Sequence, residues 1–529
     1  MYDYLVVGAG SAGCVVASRL SENPSTSVAL IEAGGRARLP QQRIPLAAIT
    51  LLGGRYDWND RTEPQGGLNG RRLHLARGRA LGGSSAINAQ MWLRGHPEDY
   101  AHWARTCGPG WGWDRVLPCF QRSERHHDAD AHHAYGTDGP LHVRNLARPN
   151  VLSLAFLRAC QERGVPRTDD VGSGQDGCAL VPVNQHEGRR WSAADGYLAP
   201  ALRRPNLTVL ARTLAERVHL DRGRAHGVVV RSGRGRALLT AKEIVLTSGA
   251  LGTPILLMRS GIGPAEHLRG LGVRVERDHS EVGSGLQDHL MTTLTHRCTR
   301  PITLASALVP TSWLDYAIRR RGPLASNGAE AVCFLRSSDR LSAPDLEVIF
   351  SPAAVGPGTR PDLVHGLTVA VVLLQPRSAG TVRLTSASPG APAAVDPHYL
   401  SDPDDADLRR LRAGLRFARS LLRTPPLAPF VGAPRTRQPA TDDDAALDEH
   451  IRRTAASVFH PVGTCRMGED SASVVTPELR VRGVDGLRVA DASVMPTIPR
   501  GHTHASTVML AERAVELITG STGVRTDDR

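Results

Sequence analysis

The first 35 residues constrain this chain more than any other stretch. Tyr4-Leu5-Val6-Val7 is an apolar run of strand length that leads straight into Gly8-Ala9-Gly10-Ser11-Ala12-Gly13. A helix-length segment follows, Ala12 to Ser21, then a second apolar run, Val28 to Ile31, ending on Glu32 and Ala33. Strand, glycine turn, helix, strand and terminal acid make a dinucleotide-binding βαβ unit. Gly8 allows the tight turn, Gly10 lets the backbone approach a pyrophosphate, and Gly13 lets the helix pack closely on the strand. The helix start at Ser11 and Ala12 aims its amides and the positive end of its dipole at the phosphates. Glu32 is placed to accept from both ribose hydroxyls, which argues against a 2′-phosphate and so against NADP.

The 529 residues allow a large core and two to four domains. Net charge is +12, which raises the question of nucleic acid. The basic residues are scattered, however, and all but Lys242 are arginine, as in a GC-rich coding bias. Arg319-Arg320-Arg321 and Arg409-Arg410 read as solvated helix faces, and no nucleic-acid partner is expected. The eight cysteines form no CxxC pair and no zinc spacing, so a reducing compartment is expected. No signal-peptide pattern precedes the first strand, and the longest apolar run, Leu367 to Leu374, is too short for a bilayer. These features predict a cytoplasmic protein with no transmembrane segment.

From residue 36 a Gly/Pro/Arg-rich stretch interrupts the nucleotide fold as a long insertion. Asn206 to Leu210, Arg217 to Leu220, Gly227 to Arg231 and Lys242 to Leu246 read as strands, the last running into Thr247-Ser248-Gly249-Ala250. Between 296 and 455 alternating segments (Asp345 to Phe350, Leu367 to Leu374, Thr381 to Thr385) predict an antiparallel sheet. A covering helix is expected over Asp404 to Leu422. Gly486 to Asp491 is the last strand and Ser506 to Ile518 the closing helix. The expected class is α/β: a Rossmann-like cofactor domain (1–295, completed by 456–529) with a substrate domain (296–455) built on a large antiparallel sheet with helices.

Three further segments carry a family resemblance. They are Gly78-Arg79-Ala80-Leu81-Gly82-Gly83-Ser84-Ser85-Ala86-Ile87-Asn88-Ala89, then Gly249 to Pro264, then Phe459-His460-Pro461-Val462-Gly463-Thr464-Cys465 leading to Asp491-Ala492-Ser493-Val494-Met495-Pro496. With the N-terminal fingerprint they resemble the glucose–methanol–choline (GMC) family of FAD-dependent oxidoreductases, from about residue 2 to 520. The resemblance implies FAD contacts at Arg79, Gly83, Ser84, Asn88, Ala89, Val218, Asp491, Ala492 and Thr503, beside those of the N-terminal unit. Some members attach FAD through a histidine where this chain has Ile87, so non-covalent FAD is expected.

The resemblance also makes His460 the catalytic base, facing flavin N5. Alcohol oxidation removes the hydroxyl proton as hydride leaves the α-carbon, and a neutral imidazole suits that transfer. For the second catalytic residue, counting from Pro496 selects His502; His504 is the alternative. A His–His pair resembles the aryl-alcohol and glucose oxidases. The implied function is oxidation of a primary alcohol, aromatic or aliphatic, to an aldehyde, with O2 or another electron acceptor reoxidising the flavin. The alternative is a non-redox member of the fold, such as a hydroxynitrile lyase or a photodecarboxylase. Phe459 beside His460 leans toward a flat or benzylic alcohol.

Other features have plainer readings. His126, His127, His132 and His133 read as a solvated loop with no metal, Cys465 as a packing residue, and Asp442 to Asp444 as a helix N-terminus. Two positions depart from the family pattern: Gly285 stands for the usual asparagine before Leu286-Gln287-Asp288-His289, and Ala101 for a polar residue.

Overall fold

Tyr2–Val7 pairs in parallel with Val28–Glu32 on one side and Gly235–Leu246 on the other, Val7 lying opposite Ile31 and Leu246. Runs of Val, Leu and Ile covered on both faces favour such a buried parallel arrangement, and Leu5, Val6, Val28, Ala29 and Leu30 have no exposed surface. Leu207–Ala211 extends the sheet beyond Val28–Glu32, and Leu487–Val489, from the far end of the chain, joins it at Gly235–Leu246. The antiparallel strands Leu214–Asp221 and Arg224–Ser232 complete seven. The computed structural model describes all residues except 37–38, 129–134, 170, 173–175, 356–363, 436, 440 and 521–529.

Helix Ser11–Leu20 packs between this sheet and the closing helix Thr503–Thr519. Its close seating explains Gly13: a Cβ there would lie 1.7 Å from the Gly8 carbonyl oxygen. Gly13→Val is therefore expected to abolish soluble, cofactor-loaded protein, read as loss of flavin absorbance in the purified fraction.

A second seven-stranded sheet is antiparallel throughout. Its order is Val431–Pro434, Leu290–Cys298, Gly366–Leu373, Leu346–Ser351, Ala331–Leu335 and Gly177–Leu180, with Ala456–Ser457 also on Leu290–Cys298. The strand Gly177–Leu180 comes from the N-terminal third of the chain, and Leu290–Cys298 starts before residue 296. Helices Val151–Glu162 and Ala406–Leu421 cover one face, burying Phe156, Leu411 and Leu415 against Val348, Phe350 and Val371.

The expected helix ends are displaced by a few residues. The closing helix begins at Thr503 rather than Ser506, with His502 as its N-cap, and the strand expected at Lys242 to Leu246 begins at Gly235. Asp443 caps Asp444–Thr454, its side chain accepting from the Ala446 amide. Arg410 is not a solvated helix-face residue: it is half-buried, paired with Asp345 and donating to the Gln375 carbonyl. All eight cysteines are free. Among the described residues no helix is long and apolar enough to cross a membrane.

Candidate active site

A cavity of about 1110 Å³ runs from the glycine turn of the first sheet to the face of the second. That exceeds the volume typical of a single small-ligand pocket, and leaves room for a cofactor and a substrate together. Its walls include Gly8, Gly10, Ser11, Ala12, Glu32, Ala33, Arg79, Gly83, Ser84, Asn88, Ala89, Asp491, Ala492, Thr503, His460 and His502. Gly13 supports the turn from behind. Val218 is not on the wall: it is buried on its strand, and its amide donates to Ser260 Oγ at 2.8 Å. The strand meets the cavity three and four residues earlier, at Ala215 and Leu214, just before a register shift between Ala215 and Arg217.

These walls fit a dinucleotide. A Cβ on Gly10 would meet nothing within 4 Å, so open space lies where a phosphate must approach. The Glu32 carboxylate accepts one bond per oxygen, from the Ala9 amide (2.9 Å) and the Gly34 amide (2.7 Å), which fixes it and leaves a lone pair on each oxygen. The Asp491 side chain is spent internally, on Gly249 N, Thr253 Oγ1 and Ser493 N. His504 Nδ1 bonds Ser11 Oγ at 2.9 Å, while its buried Nε2 has no partner. Such an orphaned atom on a cavity wall is what a bound polar group satisfies.

At the other end Phe459 adopts a left-handed backbone (φ +66°), uncommon for a bulky residue and typical of functional turns. Asp288 holds the turn: its carboxylate accepts from the His460 amide (2.7 Å), Tyr399 OH and Ser457 Oγ (both 2.5 Å). Burial pushes its pKa up to about 6.

The hydrogen-bond network assigns the His460 tautomer. His289 Nε2 lies 3.0 Å from the Leu374 carbonyl, which can only accept, so Nε2 carries the proton. Burial and the neighbouring His502 hold His289 down at about 3, so it is neutral and its Nδ1 is an acceptor. His460 Nδ1, 3.1 Å away, must then donate, and its Nε2 is left with a lone pair. Burial, then His502, then His289 hold His460 well below the usual imidazole value. The ring is half-buried and meets the cavity. His502 stands edge-on at 4.7 Å between ring centroids, with Nε2 bonded to Glu347 Oε1 at 3.2 Å.

His502 and not His504 thus shares a corner with His460; the backbone turns His504 toward Ser11 and Trp92. Four residues here were missed by the sequence reading: Asp288, His289, Glu347 and Arg190. Arg190 is fully enclosed and donates to the Ser85 and Asn88 carbonyls and to Asn88 Oδ1 (2.6–3.0 Å), fixing the segment beside the cavity. Asp288 and His289 lay inside a quoted motif, so a signal existed; for Glu347 and Arg190 none did. Gly285 has φ +74°, a conformation asparagine also tolerates, so the departure conserves the turn. Nothing in the structure explains Ala101. The Cys465 thiol is pushed up by burial and is packed, not reactive.

Buried neutral histidines make the fold acid-sensitive. His289 (about 3) and His504 (about 4) stay neutral in the native state, whereas both titrate near 6.5 when unfolded. The unfolded chain therefore binds more protons as pH falls below 6.5. Their contribution is intact above that value and is lost toward the folded values, by about 1.4 kcal/mol per pH unit for each ring. Denaturant midpoints between pH 7 and pH 5 should fall accordingly; a flat profile would contradict the burial.

A nucleotide-type parallel sheet, a second sheet closing the far end of its cavity and a histidine pair at the junction define a cofactor-dependent enzyme class. The chain matches the GMC oxidoreductase N-terminal profile over residues 2–291 and the C-terminal profile over 376–511. It is 43% identical over 98% of its length to an uncharacterized GMC-type oxidoreductase of Mycobacterium tuberculosis, covering 99% of that protein. It is 40% identical to an alcohol dehydrogenase [acceptor] of Pseudomonas putida, over 98% of this chain and 96% of that one. The crystal structure of pyridoxine 4-oxidase from Mesorbium loti superposes with a TM-score of 0.90 at 34% identity, over 98% of this chain and 100% of that one. This chain belongs to the GMC oxidoreductase family and is a flavin oxidoreductase.

Proposed function

We propose that the protein oxidises an uncharged primary alcohol to an aldehyde, with non-covalently bound FAD. The carrying observation is the His460–His502 corner, where the tautomer network leaves His460 Nε2 unprotonated toward the cavity. FAD supplies the hydride acceptor, and O2 or another acceptor reoxidises it. His460 Nε2 takes the hydroxyl proton. Glu347 accepts from His502 Nε2 and so fixes that imidazole edge-on to His460, where it can orient the substrate hydroxyl. Gly8, Gly10, Glu32 and the segment 83–89 hold and orient the dinucleotide. The Ile87 side chain packs with Leu51, Tyr56, Ala80 and Ala86 and offers no nucleophile for a covalent link.

The second sheet supports the substrate class. Its contributions to the wall are Met291, Thr293, Ile349, Ser351, Thr368, Ala370 and Ser457, none of them charged. A quaternary ammonium needs a carboxylate or an aromatic cage, and Phe459 is the aromatic of this corner. Benzylic and medium-chain aliphatic alcohols are therefore expected to bleach the flavin on anaerobic mixing, and choline to do so at least about tenfold more slowly. A hydroxynitrile lyase or photodecarboxylase would stay yellow in the dark with every alcohol. In the reactive series kcat/KM should hold as pH falls through 6.5, because His460 is kept neutral below its ordinary value, and decline only at lower pH.

A further inference from the structure

His126 and His127 do not sit in a featureless solvated loop. His127 follows the strand Glu124–His126, and His142 lies on Leu141–Val143, paired to it in parallel with Arg125 opposite His142. His186 arrives from a hairpin, Gln185–His186 with Arg189–Arg190. Three imidazoles from separate elements converge, with one ligand nitrogen of each within 4.8 Å of the others. His127 Nε2 and His142 Nδ1 are 2.6 Å apart, and the His142 and His186 rings lie 3.9 Å centroid to centroid. His132 and His133 lie outside the described residues.

We infer that His127, His142 and His186 form a binding site for one borderline divalent transition-metal ion, of the Zn²⁺, Co²⁺ or Ni²⁺ kind. Imidazole-only sites select such ions over Mg²⁺ or Ca²⁺, which demand oxygen ligands. Tetrahedral bonds of 2.0–2.1 Å place ligand nitrogens about 3.3 Å apart, between the 2.6 Å and 4.8 Å of this cluster; the rings lie stacked, with 8–31° between their planes, so rotation about the side-chain torsions is what turns three in-plane lone pairs onto one ion. Trp191 backs it, edge-on to His142 (4.9 Å) and His186 (5.1 Å), and is itself fixed by its indole N–H on the Pro140 carbonyl. The other side is open to solvent, which supplies the entry path and the fourth ligand.

The charges around it are Arg125 and Arg144, opposed by Asp128 and by Glu187, whose carboxylate is 3.9 Å from His186 Nε2. The site is not part of the redox cavity. It would clamp the hairpin whose last residue, Arg190, holds Ser85 and Asn88, so its expected consequence is stability rather than chemistry.

The test uses the FAD-loaded enzyme, treated with chelator, dialysed and titrated with ZnCl2 at pH 7.5 by calorimetry. One Zn²⁺ per chain is expected, with a rise of a few degrees in melting temperature at saturation. His142→Ala and His186→Ala should each weaken binding about tenfold or more, and His226→Ala, an exposed histidine on another sheet, should not. His142→Gln serves if the alanine variant fails to fold, and flavin absorbance reports folding in each case. Co²⁺ substitution should give the visible absorption of a tetrahedral site, lost in the same variants. Absence of a saturable site, or undiminished binding in the His142 and His186 variants, overturns the assignment. So does Zn²⁺ that persists in those variants while blocking alcohol oxidation, since it would then sit at His460 and His502.

Discussion

His460→Ala is expected to bind FAD with an unchanged visible spectrum and to reduce it with alcohol about 10³-fold more slowly than the unsubstituted enzyme. That factor is worth about 4 kcal/mol of barrier. The turn itself should survive, because it is the backbone amide of residue 460 that donates to Asp288, and an alanine keeps that bond. What disappears is the lone pair on Nε2 and the donor that satisfies His289 Nδ1. Anaerobic stopped-flow reduction measures the effect directly. Loss confined to KM would mean that His460 only binds the alcohol, and reduction as fast as wild type would end the assignment of a base. The acid limb of the pH profile should vanish with the imidazole.

Glu124→Ala is expected to destabilise the protein by about 3–5 kcal/mol. Glu124 and Arg94 form an ion pair in which both side chains have no exposed surface. Glu124 also accepts from the Trp92 indole (2.7 Å) and the Gly136 amide (3.1 Å), and the Arg94 guanidinium lies 4.3 Å over the Tyr135 ring. Removing the carboxylate takes from a fully buried guanidinium the charge it pairs with here and leaves the Trp92 and Gly136 donors unmet, which costs far more than the net worth of the pair. The loss should reach the site, because Trp92 packs on His504 and the Arg94 carbonyl accepts from Ser506 Oγ in the helix that His502 caps. Urea denaturation checks the magnitude. Arg94→Met combined with Glu124→Leu should recover much of the stability, and a single variant within 1 kcal/mol of wild type would show the pair to be screened after all.

Much of this molecule is legible in its sequence because its signals are local. Gly8, Gly10 and Gly13 encode a turn that only glycine can make beside a strand and a phosphate, and Glu32 follows at the spacing the βαβ unit imposes. The apolar strands are legible in the same way, but the alternation expected for the second sheet is not there: Gly366–Leu373 is buried along its whole length, and the alternating strand Gly380–Leu384 lies in a separate three-stranded sheet. Val218 marks a limit: the resemblance set it against the cofactor, yet it is buried on its strand, which meets the cavity instead at Leu214 and Ala215. The choice between His502 and His504 was a matter of counting in sequence and of helix geometry in space. With His502 at the N-cap, the two side chains leave the first turn in different directions.

The sequence by itself determined the nucleotide unit and the family pattern, and through that pattern drew attention to His460. Only the tertiary structure decided which nitrogen of His460 is free, because that depends on Leu374 and His289, far away along the chain and silent in any motif. It alone placed Glu347 behind His502, and brought His127, His142 and His186 together across 59 residues. Local patterns fix what a segment must be, since backbone geometry is local. Protonation, charge pairing and ligand geometry depend on neighbours within a few ångströms, and the fold chooses those neighbours without regard to their order in the chain.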